Sequence, residues 1–104
     1  MVISAVIENK RLALAVLCTR HRVARLEVFG SAAGEGFDAA RSDVDFLVEF
    51  DEMSPGDHAH AYFGLLRDLK TLLDRNVDLV EIKAVDNPYF LESIKKSRTL
   101  LYAA

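Results

Sequence analysis

Cysteine, positive charge and long apolar runs are all scarce in this sequence, and each scarcity excludes something. Cys18 is the one cysteine, so neither an intramolecular disulfide nor a cysteine-based zinc site is possible. Lys and Arg number 13 against 16 Asp and Glu, a formal net charge of −3. That balance provides no basic face for broad, direct DNA or RNA binding. It leaves a bound nucleotide open, because a metal ion can neutralise its phosphates. No apolar stretch approaches the ~20 residues of a membrane span. The segment from Met1 to Leu17 is interrupted by Glu8, Lys10 and Arg11, unlike a signal peptide. A cytoplasmic location fits the cysteine usage and the absence of a span. Internal repeats and low-complexity segments are absent as well.

What is present is the balance of a folded domain: 104 residues, 51% hydrophobic and 28% charged. The length suits one domain over residues 1–104. Ile3, Val6, Ile7, Leu14, Leu17 and Cys18 recur at helical spacing and predict an amphipathic helix over 3–21. Arg25–Phe29 alternates and predicts a strand that Gly30 ends. Ser31–Arg41 is small and weakly patterned, a turn with one short helical piece and then a loop. Val44–Phe50 predicts a second strand, and its continuous Phe46-Leu47-Val48 run predicts burial on both faces.

Ser54-Pro55-Gly56-Asp57 offers an N-cap, a proline at the first helical position and an acid three residues on. A helix then follows to about Asp74, with Tyr62, Leu65, Leu66, Leu69, Leu72 and Leu73 inward. Val77–Ile82 predicts a third strand. Asn87-Pro88 breaks the chain and starts a last helix over Tyr89–Lys96. Thr99–Tyr102 is a short apolar end that either adds an edge strand or simply packs. The fold class is α/β (α+β), a small mixed sheet packed against helices: a helical segment over about 3–21, a motif core over about 22–82, and a helix and tail over about 86–104.

The chemistry concentrates in three places. Gly30-Ser31 follows the first strand, Ser42-Asp43-Val44-Asp45 opens the second, and Asp78 opens the third. Asp43 and Asp45, two apart on a strand, point to one face about 6.6 Å apart along the chain. Carboxylates so placed can converge on metal ions about 3.5–4 Å apart. Magnesium takes oxygen ligands, few of them from protein and the rest from substrate phosphates. Asp78 can complete the site if its strand neighbours Asp45. Without cations the three acids repel, and at least one pKa should rise. Gly30 allows close backbone approach and Ser31 adds a hydroxyl, a contact suited to phosphate. Alone, Asp-x-Asp is a common solvated strand start and Gly-Ser an ordinary turn; their order favours the metal reading.

At these residues the chain resembles the minimal nucleotidyltransferases of the polymerase-beta-like superfamily, the MNT family. The family pattern is matched by Val28-Phe29-Gly30-Ser31-Ala32-Ala33, by Ser42-Asp43-Val44-Asp45-Phe46-Leu47-Val48 and by Val77-Asp78-Leu79-Val80. The similarity covers roughly residues 22–102. It implies the polymerase-beta-like nucleotidyltransferase fold and magnesium-dependent transfer of a nucleoside monophosphate, AMP from ATP, to a hydroxyl with release of pyrophosphate. It assigns two Mg2+ to Asp43 and Asp45. Asp78 joins the ion that activates the attacking hydroxyl and assists its deprotonation. Gly30 and Ser31 fall to the β and γ phosphates, with Ser42 and Arg41 as further nucleotide contacts. Stand-alone members are commonly antitoxins partnered with a HEPN-type toxin, and a homo-oligomer is also compatible.

The sequence departs from the family at Gly34, where an arginine is usual, and at Glu35, where glycine is usual. Arg41 either supplies the lacking charge or is a solvated loop residue. The departure leaves a second function open, a catalytically weak binding module that neutralises its toxin by contact. Modification of a small molecule would need a second domain to shape the acceptor pocket.

Other residues have plainer expectations. His58 and His60, two apart on a helix, share no face for a metal. His21 ends the first helix. Cys18 packs as a small hydrophobe. Glu27 and Glu49 on their strands either support the site acids from behind or are exposed, and exposure is the expectation. Lys95-Lys96-Ser97-Arg98 is expected to be a solvated helix end rather than a nucleic-acid site, and Tyr62, Tyr89 and Tyr102 to anchor the core, with Tyr89 beside Pro88 alternatively placed to approach a nucleotide.

Overall fold

In a computed structural model, residues 4–33 and 43–104 are described. The predicted first helix is two helices, α1 (Ala5–Glu8) and α2 (Arg11–Arg20), broken at Asn9-Lys10. Asn9 is the C-cap of α1, and the Lys10 amide closes back on the Ile7 carbonyl at 3.0 Å. Asparagine competes for local backbone bonds and favours such a break. The Ser4 hydroxyl caps α1 by accepting from the Val6 amide at 3.2 Å. The predicted stripe survives the break: Ile7, Leu14, Leu17 and Cys18 are buried, while Leu12 and Val16 face outward. His21 caps the end of α2, as expected.

Four strands follow: β1 (Val23–Phe29), β2 (Val44–Phe50), β3 (Val77–Glu81) and β4 (Thr99–Ala103), in sheet order β3-β2-β1-β4. β1 pairs antiparallel with both β2 and β4, and β2 pairs parallel with β3. The C-terminal apolar segment is therefore an edge strand. The parallel β2–β3 pair needs a crossover connection. It is supplied by α3 (Pro55–Leu73), which starts at Ser54 with Pro55 in its first turn, as the sequence signals. The last helix, α4 (Pro88–Ile94), is capped by Asn87.

The sheet is covered on both faces. On one, Leu26, Val28, Phe46 and Val48 pack against Leu14 and Cys18 of α2 and Leu65 and Leu69 of α3. On the other, Phe29 and Leu47 pack against Ile94, with Val80, Phe90 and Leu91 around them. Burial of Phe46, Leu47 and Val48 together follows from this two-sided cover. Strand alternation puts Glu27, Asp45, Leu47, Asp78 and Val80 on the face that α4 covers. Among the described residues, no helix is long and apolar enough to cross a membrane.

Candidate active site

Asp45 and Asp78 stand in register on neighbouring parallel strands. Adjacent strands are spaced about 4.8 Å apart, so two side chains on one face of such a pair lie side by side. Phe29 is the register partner of Asp45 on the other side, which brings the end of β1 to the same place. Gly30 follows with φ 71° and opens a single 3-10 turn over Gly30–Ala33. A β-carbon at Gly30 would lie 2.7 Å from Asp45 Oδ2. Glycine thus serves two needs here, a left-handed backbone and room for a carboxylate.

The electrostatics follow from that geometry. Burial pushes the half-buried Asp45 carboxyl above its ordinary value, and the charges of Asp78 and Asp43 push it further. Asp43 and Asp78 are exposed. The charge of Asp78 is also felt at Tyr62, whose phenol is raised first by burial, then by the charges of Glu81 and Asp78. That phenol donates to the Leu79 carbonyl at 2.6 Å and fastens α3 to β3.

Among the described residues, no three His, Cys, Asp or Glu side chains make a ready-built metal cage. The donor set nevertheless fits magnesium. It is all oxygen and carries like charges that raise Asp45, and magnesium draws its other ligands from phosphates and water. Arg41 and Ser42 lie outside the described residues, as do Gly34, Glu35 and the side chain of Ser31.

Four expectations need correction. Glu27 is only 3% exposed, because β1 is a central strand under α4. It accepts from Arg98 Nε at 2.7 Å, Arg98 Nη2 at 3.0 Å and Arg25 Nε at 2.7 Å. The Arg98 hydrogen bond is the main force holding its carboxyl below the ordinary value; burial opposes it. Ser97 and Arg98 are therefore not a solvated helix end: Ser97 Oγ accepts from the Gly30 amide at 3.2 Å. Tyr89 is exposed rather than a core anchor, while Tyr62 and Tyr102 pack against the core. Glu49 is half-buried.

The remaining candidates have structural duties. His21 Nε2 meets Asp68 Oδ2 at 2.6 Å across α2 and α3. His58 pairs with Glu81. Cys18 is buried, and desolvation pushes its thiol up to about 12, so it packs and does not react. No local sequence signal marks Ser97 or Glu27. The Gly30 partner of Ser97 lies 67 residues away, and the Arg98 partner of Glu27 lies 71 away, beyond the local Arg25 contact.

Residues 10–101 match the family described as "Nucleotidyltransferase domain". Two proteins of Methanocaldococcus jannaschii, each named "Putative protein adenylyltransferase", are similar to this chain. One is 35% and the other 37% identical over 81 residues, 78% of this chain and 79% of each relative. A solved structure described as a "putative minimal nucleotidyltransferase" is 34% identical, with a TM-score of 0.67 over 89% of this chain and 90% of its own. An MNT antitoxin from Shewanella oneidensis, solved in complex with a tri-AMPylated HEPN toxin, shares the fold. Its TM-score is 0.63 at 18% identity, over 93% of this chain and 72% of that one. The chain belongs to the nucleotidyltransferase domain family, and its mixed α/β fold is that of the minimal nucleotidyltransferases.

Proposed function

We propose that this protein is a magnesium-dependent protein adenylyltransferase that moves AMP from ATP onto a hydroxyl of a HEPN-type toxin and so acts as its antitoxin. The observation that carries the reading is Asp45 in register with Asp78, with the Gly30 backbone against the Asp45 carboxylate. The names of the two archaeal relatives support protein as the acceptor. The Shewanella oneidensis complex supports a toxin as that protein, and a fold neighbour solved with AMP-PNP supports an adenine nucleotide.

Asp43, Asp45 and Asp78 would hold the magnesium ions. Those ions would supply charge neutralisation on the triphosphate and a more acidic attacking hydroxyl. The Gly30–Ser31 turn would receive the β and γ phosphates, with Ser42 and Arg41 as further contacts on the approach to Asp43. The hydroxyl oxygen bonds to the α-phosphorus as the bond to the bridging oxygen breaks. Pyrophosphate leaves, and the hydroxyl proton passes to Asp78. Most of the rate gain in such transfers comes from positioning and charge stabilisation.

The test is calorimetry of ATP with and without magnesium on the wild type and the Asp43→Asn/Asp45→Asn double variant. Magnesium-dependent binding that is lost in the variant supports the reading; a folded wild type that binds no magnesium-ATP overturns it. One observation favours a second reading, neutralisation by contact alone. Leu12 and Val16, one helical turn apart on α2, are 86% and 56% exposed. Toxin neutralisation that persists in the double variant would select that reading.

A further inference from the structure

The turn that closes α4 reaches back to the turn that closes β1. Gly30 N–H donates to Ser97 Oγ at 3.2 Å, and that hydroxyl donates to the Ile94 carbonyl at 3.1 Å. A serine hydroxyl has one proton. With the proton given to Ile94, a lone pair is left for Gly30, so the polarity of the bridge is fixed. Two more contacts flank it. The ring of Phe90 on α4 meets Phe29 edge-on at 5.7 Å, and Arg98 clasps the buried Glu27. The α4 end thus holds β1 at Glu27, Phe29 and Gly30.

Gly30 sits at φ 71° with Asp45 Oδ2 beside it. Glycine adopts many conformations, and nothing in its own chemistry selects this one. In this conformation the Gly30 amide is bound by the Ser97 hydroxyl. We propose that Ser97 is a positioning residue for the triphosphate: its hydroxyl fixes the Gly30–Ser31 turn in the orientation that accepts the β and γ phosphates. The inference rests on the function proposed above and goes beyond it. Ser97 does not touch the nucleotide, and it lies in a segment remote from the family's motifs.

The distinguishing property is phosphate-length selectivity. A positioning role at the β and γ phosphates affects ATP and not AMP. A merely structural role lowers stability and affects both. The experiment measures binding of AMP-PNP and of AMP, each with magnesium, to wild type, Ser97→Ala and Ser97→Thr, with thermal unfolding of each. Loss of one neutral hydrogen bond predicts about three- to tenfold weaker AMP-PNP binding by Ser97→Ala. AMP binding should be unchanged, and Ser97→Thr should restore most of the loss. Unchanged AMP-PNP binding by Ser97→Ala, beside a wild type that binds, overturns the role of Ser97 alone. Equal losses for AMP-PNP and AMP overturn it too. A wild type that binds neither overturns the proposed function and the role of Ser97 with it.

Discussion

Gly30 and Asp45 meet where β1 ends beside β2, so closely that any side chain at position 30 would have to displace the Asp45 carboxylate. A β-carbon there would stand 2.7 Å from Asp45 Oδ2, and the backbone φ of 71° is left-handed. Gly30→Ala therefore meets two penalties at once. The left-handed conformation alone costs about 1–2 kcal/mol for an L-residue. Relief of the clash must also turn the Asp45 carboxylate away. Denaturant unfolding should show a loss of at least that size, and calorimetry should show magnesium-ATP binding lost in the folded fraction.

Asp45 should be a burden to the empty protein and a requirement for the loaded one. Its folded-state carboxyl is raised by burial and by the charges of Asp78 and Asp43. Ionising it therefore favours the unfolded chain. The penalty is absent below the ordinary value of 3.8 and complete once pH exceeds the raised folded value. Asp45→Asn should unfold at a higher temperature than wild type at pH 7 without magnesium. The difference should shrink toward zero as pH falls below the carboxylate range. The same variant should lose magnesium-dependent nucleotide binding. Thermal melts across pH check the first outcome, and calorimetry at pH 7 the second.

Glu27 has the opposite sign. Its carboxyl is lowered chiefly by the Arg98 hydrogen bond, against an ordinary value of 4.5. The stability it contributes is present above that value and lost as pH falls through the lowered one. Glu27→Gln keeps the shape and removes the charge, leaving Arg25 and Arg98 without their counter-ion. Both guanidinium groups are partly exposed, which limits the cost below that of a fully buried pair. A loss of about 2–3 kcal/mol at pH 7 is expected. Denaturant titrations at pH 7 and at pH 3 should show that loss narrowing at the lower pH.

These residues also show what could and could not be seen in the sequence. Strands β1 to β3 were legible because their patterns are local: Phe46-Leu47-Val48 has a period that only two-sided cover satisfies. Both acids visibly open apolar strands, but that those strands are neighbours with Asp45 in register with Asp78 is shown only by the sheet. Three further features were not legible. Asn9-Lys10 interrupts a helix whose apolar stripe runs straight through the break. Thr99–Ala103 is too short to declare a partner, and its pairing with β1 is set by the fold. Glu27 resembles any exposed strand acid until Arg98, 71 residues later, is brought beside it. Local patterns specify elements, whereas a buried charge is specified by a contact between distant segments.

The departure from the family pattern at Gly34 should be measurable in nucleotide affinity. The family's arginine is replaced there, which removes a cation from the segment between the Gly30–Ser31 turn and Asp43. Arginine suits phosphate because its planar fork makes charge-assisted, bidentate bonds. Gly34→Arg should therefore tighten magnesium-ATP binding by about tenfold, the effect of one charged hydrogen bond. AMP should gain less, because its single phosphate offers an added cation less charge to meet than a triphosphate does. Raising the salt concentration should erode the gain, as it does for any exposed charge pair. Calorimetry with both nucleotides at two ionic strengths tests this. Equal affinity for wild type and variant would mean that the missing charge is already supplied by Arg41 or by the lysines beside Ser97. Arg41→Gln and Lys96→Gln would then identify the source by which of them weakens ATP binding.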